Sequence, residues 1–164
     1  MRIASLETWL VYRWLTVRIT TEDGVCSVGE GTFWGFAGAA QNIAESLKQD
    51  LVGQDPGNIE YIWNAAYRKY SPRSAAIFSA LSAIDQARWD IKGKRCGMPV
   101  WDLLGGKVRN KVRAMVLLGG GTIDDFVASA KRAKADGFTA AKFTPFPRGW
   151  AGLSYGSNPA SARP

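Results

Sequence analysis

The period of the apolar residues changes twice along this chain, and these changes constrain its fold more than any single motif. Residues 15–20 alternate between apolar and polar side chains, which is typical of a half-buried strand. A turn at residues 22–24 (EDG) leads into a second extended segment from Val25, and residues 3–11 form a third. The N-terminal part therefore predicts a three-stranded antiparallel meander.

Helical spacing follows these strands. Three amphipathic stripes predict helices over about residues 40–51, 59–70 and 77–91, and a short segment over 100–104 begins after a proline. Four alanines on the third helix predict a close approach to a neighbouring helix: Ala76, Ala80, Ala83 and Ala87. Because strands come first and helices follow, the predicted class is α+β.

Beyond these helices the pattern changes a second time. "VRAMVLL" (112–118) predicts a buried strand, Thr122 predicts the cap of a helix with Asp125 as its capping-box partner, and Gly137 ends that helix. "FTAAKF" (138–143) predicts a second apolar strand with one lysine buried in it. Strand, helix and strand with short connections predict a parallel βαβ unit with a right-handed crossover.

Composition excludes several functional classes. The chain contains no histidine, which removes His-based triads and most zinc chemistry. Its two cysteines, Cys26 and Cys96, have no metal-like spacing and are interpreted as reduced thiols of a cytoplasmic protein. No apolar run approaches the length of a membrane span, and the first residues do not resemble a signal peptide, so we expect no membrane partner.

The net charge of +7 raises the possibility of a nucleic-acid partner. Seven basic residues form the densest group, here called the basic cluster: Lys92, Lys94, Arg95, Lys107, Arg109, Lys111 and Arg113. No RNA-binding motif or zinc-finger spacing accompanies them. We therefore expect a solvated surface and no nucleic acid, with a basic non-catalytic binding module as an alternative.

Two glycine-rich stretches and two aspartates have structural interpretations. "GEGTFWG" (29–35) matches no phosphate-binding spacing and is interpreted as turn glycines, and "GGGT" (119–122) as a strand-to-helix turn rather than an anion site. Asp85 interrupts an apolar helical face, from which it can reach Arg88 or Trp89. Asp90 can reach Lys94 one turn on. Structural pairing is favoured over catalysis for both.

Three segments carry a resemblance. "SALSAIDQARWDIKGKRCGMPVWDLLGGKVRNKVR" (79–113) resembles the signature that ends the capping domain of the mandelate racemase/muconate lactonizing branch of the enolase superfamily. "LVGQDPGNIEYIWNAAYR" (51–68) and "VYRWLTVRITTEDGVCSVGEG" (11–31) are similar to segments of its galactonate dehydratase-like acid-sugar dehydratases. The resemblance extends over about residues 2–147.

The resemblance implies an enolase-like N-terminal capping domain over residues 1–111, followed at 112–147 by only the first βαβ unit of a (β/α)8 barrel. Residues 148–164 contain no acidic side chain and are rich in Gly, Ser, Ala and Pro, so they are interpreted as a disordered tail that is not native to the family. A frameshift, a misassigned gene end and a genuine shortened product all remain open as its origin.

The family's chemistry gives an expected function. The resemblance implies removal of the proton α to a carboxylate, stabilisation of the enediolate beside an essential Mg²⁺, and loss of a β-hydroxyl from a small sugar acid. A racemase or cycloisomerase of the same branch is the nearest alternative. The family's metal ligands and histidine base lie on later barrel strands, so we expect no metal site in this chain, no Mg²⁺ binding and no turnover by it alone. The full-length form is expected to be a homo-oligomer.

The resemblance also names site residues. Lys142 matches the first position of a K-x-K pair that ends the second barrel strand, while Thr144 occupies the second position. We expect Lys142 to bind the substrate carboxylate or act electrostatically; a lysine that only snorkels to the strand end is the alternative. Tyr12, Arg13 and Trp14 match the first substrate-selecting loop of the family.

The second substrate-selecting loop corresponds to "RKYSPRSA" (68–75), with Tyr70 and Arg73 as its candidate contacts. This segment departs from the family's glycine-rich pattern, so the identity of the sugar is not carried over. Arg88 replaces the leucine usual in the capping-domain signature. We expect its side chain to reach an exposed edge or to pair with Asp85, because an unpaired buried charge is costly.

Overall fold

The computed structural model describes residues 1–69 and 74–143. The chain divides into two compact units, Met1–Gly106 and Lys107–Pro164. Tyr70, Arg73, Thr144 and the tail at 148–164 lie outside the described residues. The assignment of 1–111 and 112–147 to two domains of a larger fold stays a prediction.

The predicted meander is confirmed. Strands β1 (Ile3–Val11), β2 (Trp14–Thr21) and β3 (Cys26–Glu30) form an antiparallel sheet in the order β1-β2-β3. The register of β1 shifts between Ile3 and Ser5, while Leu6 lies opposite Ile19. This irregularity allows Ile3 and Leu6, three positions apart, both to be buried, which strict alternation would forbid.

The predicted helices are also present in the first unit, as α1 (Ala37–Leu51), α2 (Ile59–Lys69), α3 (Ala75–Cys96) and the short α4 (Val100–Leu103). The hydroxyl of Ser74 caps α3 by accepting a hydrogen bond from the backbone N–H of Ile77. Gly97 ends α3 in the left-handed conformation, with φ of 63°.

The core of the first unit lies between the inner face of the sheet and the helices. Alternate residues of β2 and the apolar stripe of α1 supply much of it, together with the alanine-rich face of α3. Its members from β2 and α1 are Leu15, Val17, Ile19, Ala40, Ala44, Leu47 and Leu51. The apolar face of the sheet, with a period of two, therefore packs against the apolar faces of the helices, with a period of about 3.6.

One glycine in β3 and one directly after it allow α3 to pack closely on this strand. A Cβ atom on Gly29 would lie 1.9 Å from the carbonyl oxygen of Ala83, and one on Gly31 would lie 2.1 Å from that of Ser79. The interpretation of these two as turn glycines is wrong, because backbone approach requires them; the positive φ of Gly35, 79°, does fit a turn. Of the alanines of α3, Ala83 lies against this strand, and α3 also contacts the helix α1.

The second unit contains the predicted parallel pair, β4 (Val116–Leu117) and β5 (Ala141–Lys142), with α5 (Ile123–Ala135) between them in the chain. The capping box of Thr122 and Asp125 is present, and the Asp125 carboxylate accepts hydrogen bonds from the N–H groups of Gly121 and Thr122. This carboxylate occupies the N–H groups that an external anion would use, which supports the strand-to-helix turn.

The first strand of the second unit is shorter and more exposed than expected. Val112 and Leu117 are 80% and 72% exposed, and only two residues of each strand pair. The expectation of a buried strand is wrong because, in the part of this unit that the structure describes, two short strands and one helix enclose too little apolar surface.

Two surface expectations can be compared with the structure. Cys26 and Cys96 are free thiols, as predicted, and both are exposed. Over residues 1–69 and 74–143, no helix is both long and apolar enough to cross a bilayer.

Candidate functional site

The tip of the β1–β2 hairpin is the first element of the candidate site. Tyr12 and Arg13 form the loop between Val11 and Trp14, which lie opposite each other at the ends of the two strands. Tyr12 has φ of 59°, the only positive value among the non-glycine residues that the structure describes. A non-glycine residue in this region costs about 1–3 kcal/mol and persists only where its surroundings impose it.

The guanidinium of Arg13 lies between two aromatic rings. Its Cζ is 5.2 Å from the ring centroid of Tyr12 and 4.6 Å from that of Trp34. Trp14 meets Trp34 edge to face, with 6.1 Å between the centroids. We call Tyr12, Arg13, Trp14 and Trp34 the hairpin cluster. It fixes a cation on an aromatic platform by two cation–π contacts.

The hairpin cluster combines two binding chemistries. Arg13 is half-buried, while Tyr12 and Trp14 are exposed. A guanidinium binds a carboxylate through paired N–H groups, and exposed aromatic faces pack against the C–H faces of a sugar chain. The cluster therefore places a guanidinium beside exposed aromatic rings.

Hydrogen bonds to backbone N–H groups hold the segment that carries Trp34 beside the hairpin. The N–H of Leu15 donates to the hydroxyl of Thr32 at 3.0 Å, and the N–H of Gly31 donates to the carbonyl of Leu15 at 3.0 Å. The N–H of Thr32 in turn donates to a Glu30 carboxylate oxygen at 2.8 Å. The chain after β3 therefore runs alongside the start of β2, which brings Trp34 to the hairpin tip.

The structure brings together the three first-loop residues that the sequence singled out. Sequence reasoning missed the fourth member, Trp34, because the stretch around it was interpreted as a glycine turn. The adjacent aromatic pair Phe33 and Trp34, directly after "GEGT", was the available signal.

The second predicted loop cannot be compared in the same way, because Tyr70 and Arg73 lie outside the described residues. Aromatic rings lie on both sides of this loop along the chain. Trp63 stacks on Tyr67 with 5.0 Å between centroids, and Tyr67 lies 5.9 Å from Phe78 of α3. The helices that flank the loop are thus joined by a row of three rings.

Lys142 lies at the end of β5, where the sequence placed it. It pairs with Leu117 of β4, and its carbonyl oxygen accepts a hydrogen bond from the N–H of Leu118 at 2.8 Å. Its side chain is exposed, so the expectation of a buried lysine is wrong. The strand is only two residues long and does not enclose it.

Among the described residues of the first unit, Arg88 is the most deeply buried charged residue, with 1% of its surface exposed. Its Nε and Nη1 donate to the carbonyl oxygens of Pro56 and Ile59, each at 3.2 Å. Burial lowers the pKa of Arg88 to about 10, and Asp85 opposes this shift. Burial likewise raises the pKa of Asp85, which the charge of Arg88 opposes. The side chain of Arg88 does not extend to an exposed edge of the protein, and its hydrogen bonds have a structural role.

The predicted pair of Asp90 and Lys94 is confirmed at 2.8 Å. Ser27 of β3 donates to the same Asp90 oxygen at 2.7 Å, and Lys94 also donates to the carbonyl of Cys26 at 2.7 Å. The hydrogen bonds from Lys94 and Ser27 lower the pKa of Asp90. One member of the basic cluster therefore holds α3 against β3.

The donor set does not fit a catalytic Mg²⁺. Among residues 1–69 and 74–143, no three His, Cys, Asp or Glu side chains are grouped closely enough to hold a metal ion. A hard divalent cation requires several oxygen ligands in near-octahedral geometry. We therefore assign no metal-dependent step to the residues that the structure describes.

A three-stranded antiparallel meander packed against helices is the α+β architecture of the capping domain of the enolase superfamily. The profile of the mandelate racemase/muconate lactonizing enzyme N-terminal domain matches residues 3–105, and the chain belongs to this family.

Individual relatives agree with this assignment. The chain is 40% identical over 141 residues to a D-galactonate dehydratase of Verminephrobacter eiseniae (strain EF01-2), covering 85% of this chain and 37% of that protein. It is 41% identical over 140 residues to one of Ralstonia pickettii (strain 12J), covering 84% and 37%. A crystal structure of an enolase from Pantoea ananatis with bound D-gluconate and Mg matches with a TM-score of 0.79 and 34% identity, covering 87% and 36%. The chain thus spans little more than a third of the length of these relatives.

Proposed function

We propose that this chain is the N-terminal part of a Mg²⁺-dependent acid-sugar dehydratase acting on an aldonate or aldarate. The observation that carries the proposal is the hairpin cluster, an arginine held between aromatic rings on a capping domain about 40% identical to D-galactonate dehydratases. In the proposed reaction a Cα–H bond next to a carboxylate and a Cβ–O bond break, a carbon–carbon double bond forms, and water leaves.

The hairpin cluster would select the substrate. Arg13 would bind an oxygen-rich group of the sugar acid, and the Tyr12 and Trp14 rings would cover its carbon chain. Because Tyr12 and Trp34 already contact the guanidinium, little side-chain freedom would be lost on binding. Tyr70 and Arg73 of the second loop are proposed as further contacts.

We propose an electrostatic role for Lys142. Its exposed ammonium group lies at the carboxyl end of a parallel strand, the position where active-site residues of (β/α)8 barrels are found. An ammonium group there would bind the substrate carboxylate or stabilise the negative charge that develops when the α-proton leaves.

The Mg²⁺ ligands and the base of the proposed enzyme would be supplied by residues that are not among those described here. We accordingly propose that the 164-residue chain has no turnover by itself, and that residues 1–111 and 112–147 act as cap and first barrel segment of a larger, homo-oligomeric enzyme.

A domain graft tests this proposal. Residues 3–105 would replace the corresponding segment of the Ralstonia pickettii D-galactonate dehydratase, and the chimera would be assayed with aldonic and aldaric acids. We expect dehydration of at least one sugar acid, with a higher KM after Arg13→Ala. Arg18→Ala is the matched control, because Arg18 is paired with Glu7 on the sheet. Because the host barrel supplies the base and the metal ligands, the assay tests substrate selection by the cap; an unchanged KM after Arg13→Ala, or no turnover of any sugar acid by the chimera, would contradict the proposal.

A further inference from the structure

We infer that a hydrogen-bond relay from Gln86 through Glu30 and Thr32 to Leu15 positions the hairpin cluster, and that Thr32 is its central positioning residue. The relay links α3 to the start of β2 in four residues. The functional meaning of this inference rests on the proposed role of the hairpin cluster in binding the substrate, whereas the relay itself can be tested without substrate.

The first link joins α3 to the end of β3. The side-chain amide of Gln86 accepts from the N–H of Glu30 at 3.1 Å and donates to the carbonyl of Glu30 at 3.0 Å. The same amide donates to the hydroxyl of Ser82 one turn earlier at 3.0 Å, which fixes its orientation. Glu30 is therefore attached to a 22-residue helix at both of its backbone polar groups.

The second link passes from Glu30 to the hairpin. A carboxylate oxygen of Glu30 accepts from the N–H of Thr32 at 2.8 Å, and the Thr32 hydroxyl accepts from the N–H of Leu15 at 3.0 Å. Leu15 is fully buried, so its N–H would lose a hydrogen bond that water cannot readily replace if the hydroxyl were removed. The bond therefore favours one register of the two segments.

The third link is covalent and sets the geometry of the cluster. Trp14 directly precedes Leu15, and Trp34 follows Thr32 by two residues. Both indoles are nearly half exposed, at 45% and 44%, so burial alone restrains their positions only weakly. The Leu15–Thr32 bond fixes the backbone of both segments and thereby the 4.6 Å contact of Trp34 with Arg13.

The test compares Thr32→Val, which keeps the shape and removes the acceptor, with Thr32→Ser, which keeps the hydroxyl. Thr20→Val, on the same sheet but outside the relay, is the control. Nuclear magnetic resonance of the 164-residue chain would report amide hydrogen exchange at Leu15 and the ring-current shifts of the Arg13 side chain. We expect Thr32→Val to accelerate Leu15 exchange by roughly tenfold or more and to move the Arg13 signals toward their unfolded positions. Thr32→Ser should retain both parent values.

Two results would overturn the inference. One is an unchanged Arg13 signature and unchanged Leu15 exchange in Thr32→Val; the other is a Thr32→Ser variant as perturbed as Thr32→Val, which would implicate shape instead of the hydrogen bond. If Thr32→Val does not fold, Gln86→Ala at an exposed helix position replaces it, with faster Glu30 exchange and the same direction of Arg13 shift expected; parent values for both would again overturn the relay. Because no substrate is added, failure of the dehydratase assay and failure of the relay are separate outcomes.

Discussion

Arg88 of α3 donates a hydrogen bond from Nη1 to the carbonyl oxygen of Ile59, the first residue of α2, across 3.2 Å. A buried cation is thus stabilised by backbone carbonyls, with Asp85 contributing at longer range. Continuum arguments indicate that such buried charges give little net stability compared with apolar residues of similar volume. The position tolerates an arginine because its guanidinium reaches the carbonyl oxygens of Pro56 and Ile59.

Arg88→Leu and Arg88→Ala separate the volume of this side chain from its charge. We expect Arg88→Leu to lie within about 1.5 kcal/mol of the parent, since it removes a desolvated charge while filling much of the space. Arg88→Ala should cost roughly 2–4 kcal/mol because it also leaves a cavity. Urea unfolding followed by circular dichroism measures both. Equal losses would mean that the bonds to Pro56 and Ile59 matter more than packing.

Asp85 gives a pH-dependent prediction. Burial raises the pKa of Asp85 above its ordinary 3.8, so the folded state holds the proton more tightly than the unfolded state. Ionisation then costs stability as the pH rises from 3.8 through the folded-state pKa. The free energy of unfolding of Asp85→Asn, relative to that of the parent, should therefore be more favourable at pH 7 than at pH 3. This gain should be larger in an Arg88→Leu background. The same difference in unfolding free energy between Asp85→Asn and the parent at both pH values would contradict this.

Asp90 should behave in the opposite way. Hydrogen bonds from Lys94 and Ser27 lower the pKa of Asp90 below 3.8, so its contribution is present above that pH and is lost as the pH falls through the folded-state pKa. Because the ion pair is about half exposed, Asp90→Asn should cost only about 0.5–1 kcal/mol at pH 7. Unfolding curves between pH 2 and 7 check this, with the exposed Glu22→Gln as control. A loss that persists undiminished at pH 2 would exclude the ionic explanation.

Two glycine-to-alanine changes should shift stability in opposite directions. Gly31→Ala places a methyl group against the Ser79 carbonyl, and the resulting separation of β3 and α3 should cost about 3 kcal/mol. Gly38→Ala lies within α1, with no atom within 4 Å of the new methyl group, and should gain roughly 0.5–1 kcal/mol from helix propensity. Thermal unfolding measures both. A Gly31→Ala variant with almost the stability of the parent would show that α3 can move away from the sheet at little cost in free energy.

Titration of the 164-residue chain with Mg²⁺ should give no specific binding isotherm in calorimetry. The chain lacks histidine, and its described residues contain no grouped set of three possible ligands. Chelator should likewise leave the melting temperature unchanged. Binding at micromolar affinity or tighter would contradict this expectation.

The sequence predicts features that depend on neighbours along the chain. The meander, the amphipathic helices, the Thr122 capping box and the Asp90–Lys94 pair all follow from spacings of two, three or four residues. Contacts between distant segments were missed. The place of Trp34 depends on Thr32 reaching Leu15, and the need for Gly29 depends on Ala83, 54 positions away. Exposure of Lys142 likewise depends on how much surface surrounds it, which no local period encodes.

The hydrogen bonds of Gln86 have a consequence beyond the hairpin. β3 is an edge strand, and such strands offer free N–H and C=O groups to which another chain can add. The amide of Gln86 takes up both groups of Glu30 at one end of β3, while Lys94 occupies the carbonyl of Cys26 at the other. Two side chains of one helix thus act in place of a fourth strand. They leave a second molecule mainly the middle of a five-residue edge on which to start a shared sheet.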